Sequence, residues 1–294
     1  MATKKKNESK PKQVAAVAPD APATEQETTV ELATAENQEP APEAASKVKE
    51  DDPTNVPVSL LVFQTAQNGH LLRYVLRSVA RNLCGVDCEL RVVGTEKPEW
   101  LREESWLQAE GEGIEVVKNA IAAVETERVV LMTDRMVLLR PVLLSDIEVL
   151  KAAPLGHKPT PTMEWLIAQQ GTTKHQVFDF DTLMPVLVWK KQVLALIETL
   201  PAEAKDLDIA TIYFNFLMAG MLPIFIDWRT DGWLLPLVSD NPNMERVHQL
   251  LDKKKFLHVA RNSESDGVMQ LLKFRLPDPL SCEIEEKDAV QLAD

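Results

Sequence analysis

Between residues 58 and 134, short apolar runs alternate with longer amphipathic stretches, and this alternation restricts the fold more than any other feature of the chain. "VSLLVFQT" (58–65) is rich in β-branched and aromatic residues, reads as a strand, and is broken by "NGH". "HLLRYVLRSVARNL" (70–83) then sets Leu71, Leu72, Val75, Leu76, Val79, Ala80 and Leu83 on one helical face. Arg73, Arg77 and Arg81 lie away from that stripe. "CELRVVGT" (88–95) is a second strand, "PEWLREESW" (98–106) is irregular or helical, and "IEVVKNAIAAVETE" (114–127) has helical spacing. "RVVLMTD" (128–134) is a third strand. Strands and helices in this order predict an α/β fold, a mostly parallel sheet flanked by helices on both faces. Ligands of such sheets collect beyond the carboxyl ends of the strands, where Asp134 stands.

The second half is less regular. "LLSDIEVLKAA" (143–153) reads as a helix with Ser145 at its N-cap, and "TMEWLIAQQG" (162–171) as another ending at Gly171. "MPVLVWKK" (184–191) and "MLPIFIDWR" (221–229) read as strands. Helical patterns cover "QVLALIETL" (192–200), "DLDIATIYFNFLMAG" (206–220), "NMERVHQLLDKKK" (243–255) and the region of "DGVMQLLKF" (266–274). There is no internal repeat.

Residues 1–56 are a different material, rich in Ala, Pro, Glu and Thr and without an aromatic residue. Such a segment buries too little apolar surface to offset its ordering entropy, so a disordered tail is expected before a domain spanning 57–294. The formal charge of -13 argues against non-specific nucleic-acid binding, which needs a basic surface. Cys84, Cys88 and Cys282 are an odd set that fits a reducing compartment. The basic start is followed by no apolar signal core, and no apolar stretch is long enough for a membrane span, so a cytoplasmic protein is expected.

The chemistry-bearing residues follow from this frame. In "VVLMTDRMVLLRP" (129–141) a strand ends at Asp134 and Arg135, an acid and a base side by side. Asp134 is either ligand-facing or the cap of a turn. His258, between Leu257 and Val259, is either a core residue or a ligand. Asp208, just before a helix, is either a cap or a base. Trp228 and Trp233 in "DWRTDGWLLP" (227–236) either stack on sugar faces or are buried with their N–H groups satisfied.

Strand, helix, strand, helix, and a strand ending in an acid is an order that resembles the GT-A glycosyltransferase fold of the nucleotide-diphospho-sugar transferases. The resemblance is strongest to bacterial members, through "KKKFLHVARNS" (253–263), through "LPDPLSCEIEE" (276–286) with Pro279, Ser281 and Glu283, and through "FDFDTLMP" (178–185). It implies that a sugar passes from a nucleotide sugar to a hydroxyl of a glycan acceptor. It further implies that Asp134 and His258 hold a divalent manganese or magnesium ion against the diphosphate, that Asp208 serves as base, and that Trp228 and Trp233 bind acceptor. Two departures stand against the pattern: Arg135 occupies the second acidic place, and Leu183 stands where a His precedes the proline. Arg135 either binds the diphosphate itself or blocks metal binding, which leaves a metal-independent transferase and an inactive binding or assembly protein as the two readings.

Overall fold

A computed structural model of the chain describes residues 56–65, 70–154, 158–169, 177–217 and 221–284, all within one compact unit. Apart from Val56, the expected tail lies outside these residues, as do Gly171 and the helix-ending Gly220.

The first strand, β1 (Val56–Phe63), begins two residues before its apolar run, and helix α1 (His70–Asn82) buries Leu71, Leu72, Val75, Leu76 and Val79 as expected. Next come β2 (Leu83–Cys84), β3 (Val86–Gly94), β4 (Trp106–Gln108), α2 (Ile114–Ala123) and β5 (Arg128–Thr133). The chain continues through β6 (Met136–Leu138), β7 (Val142–Leu143), α3 (Leu144–Glu148), β8 (Lys151–Ala152) and α4 (Pro161–Gln169). Then follow β9 (Val186–Trp189), α5 (Lys190–Thr199), α6 (Ile209–Leu217), β10 (Ile224–Phe225) and β11 (Leu234–Leu237). Helix α7 (Met244–Leu251), β12 (Phe256–Val259) and α8 (Asp266–Arg275) complete the described chain.

The main sheet has the order β4-β3-β1-β5-β9, parallel except for the antiparallel edge strand β9. Alternation along β1 sends Val58, Leu60 and Val62 into one core with α1, and Leu61 into a second with Val129 and Leu131. Both faces are therefore covered, as a parallel sheet requires. A smaller sheet of order β11-β12-β6 sits beyond β5, with β12 antiparallel to β6 and His258 opposite Met136. The off-stripe arginines of α1 also find a use. Arg77 grips Glu283 through Nε and Nη2 at 2.7 and 2.8 Å, Arg73 approaches it at 3.3 Å, and the buried acid ties the end of the described chain to α1.

Strands β4 and β11 arise where the sequence reading placed none, and two further elements are shorter than expected. The helix expected over 143–153 closes after Glu148, because Lys151 and Ala152 are drawn into β8 beside β10. Its cap is also different: Asp146, not Ser145, accepts the Leu143 N–H at 2.9 Å. The strand expected over 221–229 keeps only Ile224 and Phe225, since Pro223 has no N–H to give and Asp227 accepts the Arg229 N–H to start a turn.

Candidate functional site

The chain runs from β1 outward to β3 and β4 and then returns to β5 on the other side of β1, so the strand order reverses between β1 and β5. The crevice at their carboxyl ends is the natural ligand position of such a sheet. Here it is bridged. The Asp134 N–H donates to Phe63 O at 3.0 Å, and the Asp134 carboxylate accepts the Thr65 N–H at 3.0 Å and the Thr65 hydroxyl at 2.5 Å. Asp134 is 2% exposed. A carboxylate so deeply placed needs donors, and the residue just past β1 supplies two.

Arg135 turns its charge into the protein. Its Nε–H donates to Thr65 Oγ1 at 3.0 Å, Nη1 donates to Val259 O at 3.2 Å, and Nη1 pairs with Glu264 Oε1 at 2.6 Å. Its own carbonyl accepts the Val259 N–H at 3.0 Å. Thr65 thus relays between acid and base, and Arg135 clamps β12 to the end of β5. His258 joins this group from the neighbouring strand. Burial, reinforced by the Arg135 charge, depresses its pKa to about 4, so its ring is neutral at physiological pH. Its Nδ1 is buried without a hydrogen-bond partner. The structure therefore brings Asp134, Arg135 and His258 into one neighbourhood, held by the Arg135 contacts to Thr65 and Val259.

The donor set does not fit a hard divalent cation. Such an ion takes several oxygen ligands, whereas the Asp134 oxygens are engaged by Thr65 and a guanidinium stands one residue away. The next residue along, Met136, offers only a thioether. Among the described residues no group of three or more His, Cys, Asp or Glu side chains could hold a metal.

A cavity of about 210 Å³ opens beside the bridge, lined among others by Phe63, Thr133, Met136, Met184, Asp181 and Asp208. Met136, not Arg135, reaches this cavity from the residues after Asp134. Asp208 caps α6, accepting the Thr211 N–H at 2.6 Å, while its own N–H donates to Thr162 Oγ1 at 3.0 Å. Burial raises its pKa, an effect opposed by Thr211 and increased by Asp179. Asp179 is buried, and its Oδ1 accepts the Asp181 N–H at 3.0 Å and the Thr211 hydroxyl at 3.4 Å. Asp181 stands at the cavity with its outer edge open to solvent. Loss of water around it, then the Asp208 and Asp179 charges, push it up to about 6. Placement of α2 defines one wall: Gly113, at φ 56°, precedes it so closely that a Cβ would lie 2.0 Å from the Lys205 carbonyl oxygen, which accepts the Ile114 N–H at 2.7 Å.

Asp181 was missed in sequence, although it lies in the quoted "FDFDTLMP". The signal was there as two acids two residues apart, one turned in and one out. Leu183, noted only for the absent His, has φ 58°, a left-handed conformation rare for a branched side chain. It turns the chain just past Asp181, and its N–H supports that carboxylate. Strain of this kind concentrates at functional sites.

The tryptophans are not brought to this cavity. Trp233 is half-buried beneath Lys151 at 4.2 Å and Lys255 at 5.4 Å, and Lys255 pairs with Asp146 at 2.6 Å. Trp228 is exposed beneath Arg229, and its carbonyl accepts from buried Lys254 at 2.8 Å. These groups gather at the amino ends of β11 and β12, whereas His258 and Arg135 lie at the carboxyl end of β12. A larger cavity, about 730 Å³, lies on the α1 side of the bridge; Glu264 is in its wall, with Arg73 stacked on Trp100 at 4.8 Å.

No protein-family model matches the chain, and no curated protein matches it. Solved structures similar to it include the apo form of the glycosyltransferase GlyE from Streptococcus pneumoniae TIGR4, at 10% identity and a TM-score of 0.41 over 81% of this chain. A second is the galactosyltransferase LgtC in complex with donor and acceptor sugar analogues, at 10% identity and a TM-score of 0.41, covering 79% of this chain and 98% of that one. A third is the apo bifunctional glycosyltransferase WbbM, at 9% identity and a TM-score of 0.45, covering 83% and 52%. The chain spans 63% of the length of GlyE.

Proposed function

We propose that the chain is a glycosyltransferase-like protein that passes a sugar from a nucleotide sugar to a hydroxyl acceptor without a divalent metal. The observation that carries this reading is the pair Asp181 and Asp208 on a cavity beside the reversal point of a parallel sheet. A carboxylate lifted to about 6 is matched to taking a proton from a hydroxyl near neutral pH. In the proposed step the acceptor oxygen attacks the sugar's anomeric carbon and gives its proton to Asp181. The bond from that carbon to the diphosphate breaks, and the nucleoside diphosphate leaves with the electron pair. Asp208, held by the Thr211 N–H, keeps Asp181 basic through its charge.

The buried Asp134 and Arg135, tied to Thr65 and to half-buried Glu264, favour a second reading, a GT-A-like binding or assembly protein with no turnover. Three free cysteines support a cytoplasmic setting for either, and no helix among the described residues is long and apolar enough to cross a membrane. The test is to incubate the purified chain with a panel of nucleotide sugars, with manganese or with a chelator, and to measure nucleoside diphosphate release and thermal shift. The transferase reading expects release that the chelator leaves intact. Thermal shift without release supports the binding protein, and neither signal removes both.

A further inference from the structure

The most anomalous surface of the molecule is apolar. Phe216 and Leu217 at the end of α6, followed by Met221, Leu222, Ile224 and Phe225, are all exposed, Leu222 to 86%. Large side chains a third or more open, close together in sequence, present on the order of several hundred Å², at the upper end for an ordinary monomer and most of the ~800 Å² each partner buries in a standard interface. Both residues of β10 are exposed although their side chains alternate: Ile224 is half open, and Phe225, resting against Phe178 at 5.6 Å between ring centres, is still a third open.

We infer that this face is a two-fold interface in which β10 pairs with β10 of a second copy. The backbone supports that occupant. The Ile224 N–H donates to Leu150 O at 2.8 Å and the Ile226 N–H to Ala152 O at 3.0 Å, so both point toward β8. The N–H and C=O of Phe225 between them point to the other edge, and among the described residues β10 pairs with β8 alone. An open edge flanked by apolar side chains invites another strand. Two antiparallel copies with Phe225 on the two-fold axis exchange both hydrogen bonds of that residue, the self-complementary pattern of a closed dimer. A lipid surface is a poorer match, because hydrocarbon leaves those backbone groups unsatisfied and the net charge of -13 opposes anionic headgroups.

Sedimentation velocity of the full chain from low to high micromolar concentration tests the interface. A concentration-dependent dimer is expected, and Leu222→Glu should weaken its dissociation constant about tenfold or more, as removal of an interface anchor does. Leu222 touches little of the core, so folding is not at issue for that variant, and the pair Leu222→Glu with Ile224→Lys should leave monomer with unchanged circular dichroism. Monomer at every concentration would overturn the inference. So would a dimer indifferent to both variants, or a monomer that instead adsorbs to phosphatidylcholine vesicles through Leu222.

Discussion

Two groups of charged side chains lie on either side of Thr133 and Met136, and they are built on opposite rules. In the first, Asp134 is met by the donors of Thr65 and Arg135 by Glu264, so each charge has a partner within 3.0 Å. In the second, Asp179, Asp181 and Asp208 face one another with hydroxyl and backbone donors and, among the described residues, no cation as a hydrogen-bond partner. Matched charges in a dry site hold structure together and resist change. Like charges held together raise their own proton affinity and are kept apart from the unfolded value only by the fold around them. The comparison separates a lock from a site: the first group fastens the small sheet to the large one, and the second is available for proton transfer.

The largest expected effect tests the second group. Asp181→Asn should lower the rate of sugar transfer about a hundred- to ten-thousandfold, the usual contribution of a general base, while the melting temperature at pH 7 holds or rises. Stability that falls by many degrees would place Asp181 in the lock instead. Next in size is Arg135→Ala. It leaves Glu264 unpaired and removes the donor that orients Thr65, and breaking a mostly buried pair costs about 3 kcal/mol. For a domain of this size that is a fall of roughly 6–12 °C in melting temperature, whatever metal is present. An unchanged melting temperature with lost nucleotide binding would make Arg135 a ligand contact and undo the comparison.

A smaller effect separates the groups by pH. His258 is held neutral well below its ordinary range, to about 4, so the unfolded chain binds the extra proton first as pH falls from about 6.5. Its contribution is present above that value and is lost as pH drops toward 4. Asp181 behaves oppositely: its raised pKa means that the folded chain takes up the proton first, so acid between about 6 and 4 relieves the cavity. The open edge of Asp181 screens this second effect. Thermal melts across pH 4–7 should show a shallower acid loss for His258→Gln than for the parent and a steeper one for Asp181→Asn. Parallel curves for all three proteins would show that neither group titrates as argued.

Much of the frame was legible in sequence because strands and helices leave different periods. The stripe of α1 and the end of β5 just before Asp134 follow from apolar spacing alone. What spacing does not carry is the direction of a charged side chain and its partner. Arg135 and Glu264 are far apart in sequence, so their pairing, which decides whether the switch point is open, depends on how β12 is laid against β6. Trp228 and Trp233 look like stacking platforms in a string of letters, yet the turn that leads into β11 leaves them at the end remote from the cavity. The raised pKa of Asp181 was not legible for a related reason: it comes first from desolvation and then from the Asp208 and Asp179 charges, which the fold brings beside it.

The smallest effect concerns Asp208, where the capping and catalytic readings of the sequence meet. Its carboxylate accepts the Thr211 N–H at the start of α6, and Asn caps a helix nearly as well as Asp. Asp208→Asn should therefore change stability by no more than a few tenths of a kcal/mol, whereas Asp208→Ala, which loses the cap, should cost about 1 kcal/mol. The informative readout lies elsewhere. Removing the Asp208 charge removes the leading electrostatic cause of the raised Asp181 pKa, after desolvation. The acid limb of the pH–rate profile should then move to lower pH in Asp208→Asn, with the maximal rate little altered. A residue that only caps the helix leaves that limb where it was, and a residue that itself takes the acceptor proton loses the rate at every pH. The displaced limb alone identifies Asp208 as the group that positions Asp181 on the pH scale, acting across the cavity through its charge.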